Sequence, residues 1–351
     1  MIHIEKVIFY VLIIIINLNL IGCNRNNTEE KALDKNYSEV IILEKKEDNN
    51  ISIYNAEKDM LKEVDKIPLT SEIVYNNAEK KYVYLHHDKD DIKKNYIDIL
   101  SNKGHKKVDN FYFAKDLKMS PKGSKLAYRS FEHASIDTAR GMKIINTDNG
   151  KEIKFKSSTI VSGNLYNWVE DDIILYYGIL EKEDSRELGI FKYDFKEEKE
   201  EPYIKDIEGF CTYFYPIEDK LLILSTLGDK TNLYLKGRQG EEFISDNLEN
   251  IYRSIYDKEN KKIYLIASEK YINIPSIYEI DLEDNSLEKI NYDFPKEVDV
   301  YGGLKLDSNG LLYYCGISEE YGKNDVYVFN TKDRSNSIVT IYSSEYNISG
   351  K

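Results

Sequence analysis

The run His86-His87-Asp88-Lys89-Asp90-Asp91 is the densest group of side chains able to hold a metal or carry a proton. Ligands must converge on an ion, yet neighbouring residues on a strand point to opposite faces, and no spaced zinc motif follows. The run is therefore a binding candidate rather than a metal centre. Glu132-His133, with Arg140 in the same long loop, has the residue types of an acid–base pair; the competing reading is a solvated surface pair. Cys211 and Cys315 sit inside apolar strand patterns with no His or basic cluster beside them, so they read as separate buried thiols. Of the 30 tyrosines, most alternate with aliphatic residues, where the ring fills space between sheets and the hydroxyl finds a backbone partner. Tyr271 and Tyr321 lie near loops instead and suit stacking on a sugar or peptide. Trp168, the only tryptophan, ends a strand pattern and reads as core.

The elements that must position these residues repeat. Short β-branched and aromatic runs begin at Val40, Tyr82, Leu126, Ile173, Leu221, Ile263 and Leu311, at steps of 42, 44, 47, 48, 42 and 48 residues. From the second onward, each follows an apolar strand and a tight polar turn such as Asn76-Asn77-Ala78-Glu79 or Asp307-Ser308-Asn309-Gly310. A third strand comes next, for example Ile277-Tyr278-Glu279-Ile280, and then a weaker fourth. Four antiparallel strands in a unit of this length make one blade of a β-propeller. The spacing predicts an all-β, seven-bladed β-propeller over 39–351, with blades near 39–66, 71–108, 111–156, 160–204, 209–244, 250–290 and 299–342. The first unit lacks its innermost strand, and an open ring would leave sheet edges unpaired. Residues 345–349 are therefore expected to return as that strand. Turns between strands one and two are short throughout. Several connections between strands two and three are long: His86 to Asn95, Arg129 to Gly141, Gly178 to Glu187, Ala267 to Pro275 and Gly316 to Asn324. Long loops are not needed for folding, which makes their face the candidate binding surface.

Ahead of the repeats, residues 7–21 form an apolar run behind Lys6, shorter than a membrane span requires and matching the core of a secretion signal. It ends in Leu20-Ile21-Gly22-Cys23, which resembles the lipobox of bacterial lipoproteins. The resemblance implies that 1–22 are removed and that Cys23 is diacylated and inserted in the lipid bilayer. Residues 23–38 would be a polar tether, and the body would stand on the extracytoplasmic face of a cell membrane, of Gram-positive type. An uncleaved anchor is the alternative, and Asn17 and Asn19 interrupt it. Met119-Ser120-Pro121-Lys122-Gly123-Ser124-Lys125-Leu126-Ala127-Tyr128 resembles the TolB-like propeller repeat, with Lys122 where that family has Asp. This implies a fold and no activity.

A formal charge of −13, from 62 acidic against 49 basic residues, argues against nucleic acid as a partner. No Gly-x-Ser-x-Gly elbow or Cys-x-x-Cys-His occurs, which removes prolyl-peptidase and covalent-haem arrangements, and seven scattered arginines without an Asp-box make a sialidase site a poor fit. A solute-binding subunit of a transporter would share the lipobox but needs two α/β lobes. Two readings remain. The first is a non-enzymatic surface module without cofactor, binding a protein, peptide or glycan through the long-loop face, with His86, His87, Asp88, Glu132, His133, Arg140, Tyr271 and Tyr321 as candidates. The second is a calcium-dependent lactonase-like or glycan-processing hydrolase, its ion in the central channel near residues such as Asp116 and Asp307.

Overall fold

Seven antiparallel sheets stand around a common axis in the computed structural model, which describes residues 35–350 apart from 58–59, 183–184, 238–239 and 293. The signal 1–22, Cys23 and the tether up to residue 34 lie outside the described residues. From axis to rim, blade 2 runs Thr70–Asn76, Lys81–His87, Asn95–Ser101 and Gly104–Val108, and blades 4 to 7 repeat this order of four consecutive strands. The second strand of each blade is covered on both faces by its neighbours, so it carries a nearly unbroken apolar run rather than an alternating one. Lys81–His87 and Lys262–Glu269 are buried over most of their length for this reason. The core is correspondingly divided into wedges. Between blades 5 and 6, for instance, Leu222, Leu224 and Leu233 meet Ile263, Leu265 and Tyr278. Tyrosines bridge the wedges and satisfy their hydroxyls at the ends: Tyr82 donates to the Lys35 carbonyl at 2.7 Å and Tyr166 to the Asp116 carbonyl at 2.7 Å.

Blade 1 draws on both ends of the chain. Val40–Lys45, Asn50–Glu57 and Met60–Pro68 supply its outer three strands, and Glu345–Gly350 pairs antiparallel with Val40–Lys45 as the innermost. The inner strands then neighbour one another all the way round, with Glu345–Gly350 between Leu304–Leu306 and Thr70–Asn76. Residues 35–38, polar enough to belong to a tether, are instead docked on the body. Tyr37 is buried edge-on against Tyr75 and Tyr82, and its carbonyl accepts from Asn77 Nδ2 at 2.6 Å. This segment enters on the face that carries the one–two turns, since Glu39 accepts from the Ser308 N–H in the corresponding turn of blade 7.

Three local features depart from the repeat. Blade 3 keeps three full strands, Phe113–Met119, Lys125–Phe131 and Ala139–Asn146, and its fourth position is reduced to the bridge Ile145↔Glu152. Beyond it, Phe155 turns away to pack against Tyr176, Tyr193 and Phe195 of blade 4, and the wedge gains what the ladder loses. The Ser-Pro-Lys-Gly turn lacks the usual Asp, and the carboxylate comes from the next blade: Asp171 accepts from Ser120 Oγ at 2.5 Å and from the Lys122 N–H at 3.0 Å. Gly123 holds this turn at φ 67°, where a side chain is disfavoured. Finally, Gly178 to Glu187 and Ala267 to Pro275 are not loops. The strands Ile173–Lys182 and Ser185–Asp194, and Lys262–Glu269 and Ile272–Asp281, run on as tight hairpins that project from the face. Alternation continuing through Ile272 and Ile274 is the signal for it.

Candidate functional site

The candidates from the sequence fall into three separate places. His86 belongs to the core of blade 2: Nδ1 shares a 2.7 Å hydrogen bond with Thr70 Oγ1, and its ring lies between Tyr84 and Tyr96 at 5.5 Å from each. Burial holds its pKa below the ordinary imidazole value. His87 bonds the Ile92 carbonyl at 2.8 Å and Asp88 accepts from the Asp90 N–H at 2.9 Å, so both shape their own loop. The run is not assembled into one site.

Glu132, His133 and Arg140 do come together. They line an open cleft of about 630 Å³ between blades 2 and 3, whose floor includes Phe111, Tyr112 and Tyr128. The His133 ring meets Tyr112 edge-on at 5.6 Å, and Tyr112 donates to Asp91 Oδ2 at 2.5 Å. Glu132 is ion-paired with Arg140, and among the described residues no hydrogen bond joins it to His133. Lys143 pairs with Glu152 at 2.7 Å on the same wall. An aromatic floor ringed by ion pairs offers stacking and hydrogen bonding, while the acid–base couple that catalysis would need is diverted to the arginine.

Tyr271 and Tyr321 occupy the third place, the tips of the two–three connections of blades 6 and 7, where both are completely exposed. Ile272, Ile274, Ile317 and Ile341 are exposed on the same connections or on the link into blade 1. The six-residue sector is apolar, and it is contiguous in blade order. On the opposite face Met60, which closes the three–four turn of blade 1, is an exposed apolar side chain as well.

The axis holds Asp116, which the sequence placed near the channel, and four further charges that it did not single out. Glu72, Asp116, Lys118, Arg253 and Lys305 all lie on inner strands, and Glu72 and Lys118 interact electrostatically with Arg253 although their blades stand on opposite sides of the ring. Their inner strands face one another across the axis of the ring. Asp116 is gripped by Arg129 through Nε and Nη2, each at 2.6 Å. Glu72 accepts from the N–H groups of Asp116 and Leu117 at 2.8 and 2.7 Å. Lys118 Nζ donates to the Tyr166 carbonyl at 2.6 Å and to Asn167 Oδ1 at 2.9 Å. The sequence signal is a cation flanked on both sides by apolar residues within a strand, as in Leu117-Lys118-Met119 and Leu304-Lys305-Leu306. Asp116 and Asp307 do not share a site, because Asp307 shapes its own turn by accepting from the Asn309 and Leu311 N–H groups at 3.0 and 2.8 Å. Among the described residues no three His, Cys, Asp or Glu side chains are grouped closely enough to hold a metal ion. Cys211 and Cys315 are free and buried, and burial pushes the Cys211 thiol up to about 12, away from reactive thiolate.

No protein-family model and no curated protein matches the chain. Solved structures do. The β-propeller domain of the Trilobed protease from Pyrococcus furiosus, described as revealing an open velcro topology, aligns over 87% of this chain and 96% of its own length, at 14% identity and a TM-score of 0.59. A functionally unknown protein from Desulfotomaculum acetoxidans aligns over 89% of this chain and 98% of its own, at 11% identity and a TM-score of 0.53. Dipeptidyl peptidase 4 of Porphyromonas gingivalis aligns over 86% of this chain but 52% of its own, at 12% identity and a TM-score of 0.53. Likeness at such identities is likeness of fold alone. What these proteins have in common with the present chain is the propeller, which here is seven-bladed and closed by its own C-terminal strand.

Proposed function

We propose that this chain is a non-enzymatic recognition module, lipid-anchored through Cys23 on the extracytoplasmic face of a bacterial membrane, that binds a protein, peptide or glycan with the face bearing its two–three connections. The observation that carries the reading is the set of exposed apolar side chains Tyr271, Ile272, Ile274, Ile317, Tyr321 and Ile341 on the connections of blades 6 and 7 and the link into blade 1. Keeping such side chains in water forfeits about 1.5–3 kcal/mol each relative to burial, and several of them on neighbouring connections are what an interaction site presents. Orientation supports it. The chain enters the body at Lys35 on the opposite face, which leaves the two–three connections clear of the entry point.

The double variant Tyr271→Ser/Tyr321→Ser tests the face. Both side chains are fully exposed, so melting should stay within about 1 °C of the parent. Retention of envelope components on immobilised residues 24–351 should fall at least tenfold, and equal retention by variant and parent would overturn the reading. The anchor has its own test: Cys23→Ser should move the protein from the membrane fraction to the medium, and unchanged retention would refute lipid attachment through this thiol.

A further inference from the structure

We propose that the cleft between blades 2 and 3 is a binding site for a neutral oligosaccharide, held over Tyr112 and hydrogen-bonded by Tyr128 and Ser130. At about 630 Å³ the cleft falls within the size of small-molecule sites, about 300–1,000 Å³. One wall is the second strand of blade 3, Lys125–Phe131, where Tyr128 and Ser130 stand two residues apart and therefore on the same side. Both are buried, at 2% and 3% exposure, yet neither hydroxyl makes a hydrogen bond with another described residue. Buried polar groups are almost always paired, so two unpaired hydroxyls on a cleft wall mark where a bound molecule supplies the partner.

The floor sets the other half of the chemistry. Phe111 and Tyr112 are half-buried and keep part of each ring open to the cleft. Tyr112 is fixed in place, its hydroxyl donating to Asp91 Oδ2 at 2.5 Å and its ring meeting His133 edge-on. A rigid aromatic face attracts the C–H groups of a sugar ring through its negative quadrupole, at little cost in entropy. Charge argues against other occupants. Lys94, Arg140 and Lys143 on the lining are matched by Asp109, Glu132 and Glu152, with Arg140 paired to Glu132 and Lys143 to Glu152. Such balanced walls give no net attraction to an anionic or cationic polymer, whereas a sugar hydroxyl donates to the carboxylate and accepts from the cation of one pair. The lining includes no aliphatic side chain, which disfavours a peptide anchored by Leu or Ile. The inference narrows the recognition reading to one ligand class and rests on it, but none of these residues belongs to the sector on blades 6 and 7.

The full chain, kept in detergent and applied to arrays of neutral oligosaccharides, acidic oligosaccharides and synthetic peptides, provides the test, with titration calorimetry on the strongest binder. Neutral oligosaccharides should bind, and binding should survive about 1 M sodium chloride, where charges are screened within roughly 3 Å. Tyr112→Ala should weaken the affinity at least tenfold. Tyr128→Phe should weaken it roughly fivefold, the worth of one neutral hydrogen bond, without lowering the melting temperature, because its hydroxyl has no described partner to lose. If Tyr112→Ala does not fold, Tyr128→Phe and Ser130→Ala decide the matter. The Tyr271→Ser/Tyr321→Ser variant should bind the saccharide like the parent. No binding to any neutral oligosaccharide, binding to acidic saccharides or peptides alone, or an affinity unchanged in the cleft variants would overturn the proposal. Envelope components still retained through blades 6 and 7 would then show that the recognition reading survives the failure of this one.

Discussion

Ending the chain at residue 342 is expected to lower the melting temperature by at least ~10 °C and to broaden the transition. The missing segment is the innermost strand of blade 1, matched residue for residue from Val40↔Gly350 to Lys45↔Glu345. Its removal would expose Val40–Lys45 as an edge on the axis and unseat Tyr346 and Ile348 from the wedge they share with Tyr313, Cys315 and Val328. Those two side chains alone account for about 1.5–3 kcal/mol each. Polar partners are lost as well. Asn324 would lose both the Tyr346 carbonyl and the Tyr346 N–H, at 2.9 Å each, and the Ile73 carbonyl would lose Ser349 Oγ. Buried groups left unpaired cost about 1–3 kcal/mol apiece. At roughly 2 °C per kcal/mol for a domain of this size, the sum exceeds ten degrees.

A milder variant separates closure from truncation. Gly303 has φ 90°, and a Cβ there would stand 2.3 Å from the Ile348 carbonyl oxygen. Gly303→Ala pushes the blade 7 link against the closing strand without shortening the chain, so it should destabilise in the same direction by a smaller amount. Melts of both variants by tryptophan fluorescence and circular dichroism decide the matter. A truncated chain that melts like the parent would show that the ring does not depend on this strand.

Legibility in the sequence followed how local the cause was. Each second strand announced itself because burial on both faces demands a continuous apolar run, as in Tyr82-Val83-Tyr84-Leu85, and seven such runs at one period fix the blade count. Blade 3's missing fourth strand was not legible, since it depends on where Phe155 finds the better contact, and that lies in blade 4. The cleft residues Glu132, His133 and Arg140 were visible as a polar loop, but not the pairing of Glu132 with Arg140, which is a matter of side-chain geometry. His86 looked like a ligand because residue type is blind to depth; Thr70, on the adjacent strand, is what satisfies it inside the core. Lys118, Arg253 and Lys305 are 135 and 52 positions apart along the chain, and only ring closure brings their inner strands around one axis.

Raising the pH should produce a slight gain in stability from about pH 8 and then an abrupt loss between roughly pH 10 and 11.5. The gain comes from Lys118 and Lys305, whose folded pKa values of about 8 lie below the ordinary value of 10.5. Between those limits the unfolded chain binds more protons than the native one, so stability rises with pH. The loss comes from tyrosine. Burial raises the pKa of Tyr84, Tyr128, Tyr176, Tyr264, Tyr314 and Tyr346 far above 10. Here the sign is reversed: the native state keeps protons that the unfolded chain releases, and stability falls as pH climbs past 10. One unit beyond that point, six such residues favour unfolding by roughly 8 kcal/mol, comparable with the whole net stability of an ordinary domain. Tyrosinate absorbance followed together with near-ultraviolet circular dichroism checks the result. The two signals should change in one cooperative step, because these phenols ionise only once the wedges between blades have opened. A smooth titration of all the tyrosines near pH 10 with the tertiary signal intact would contradict the burial of their hydroxyls, and with it the packing of blade against blade.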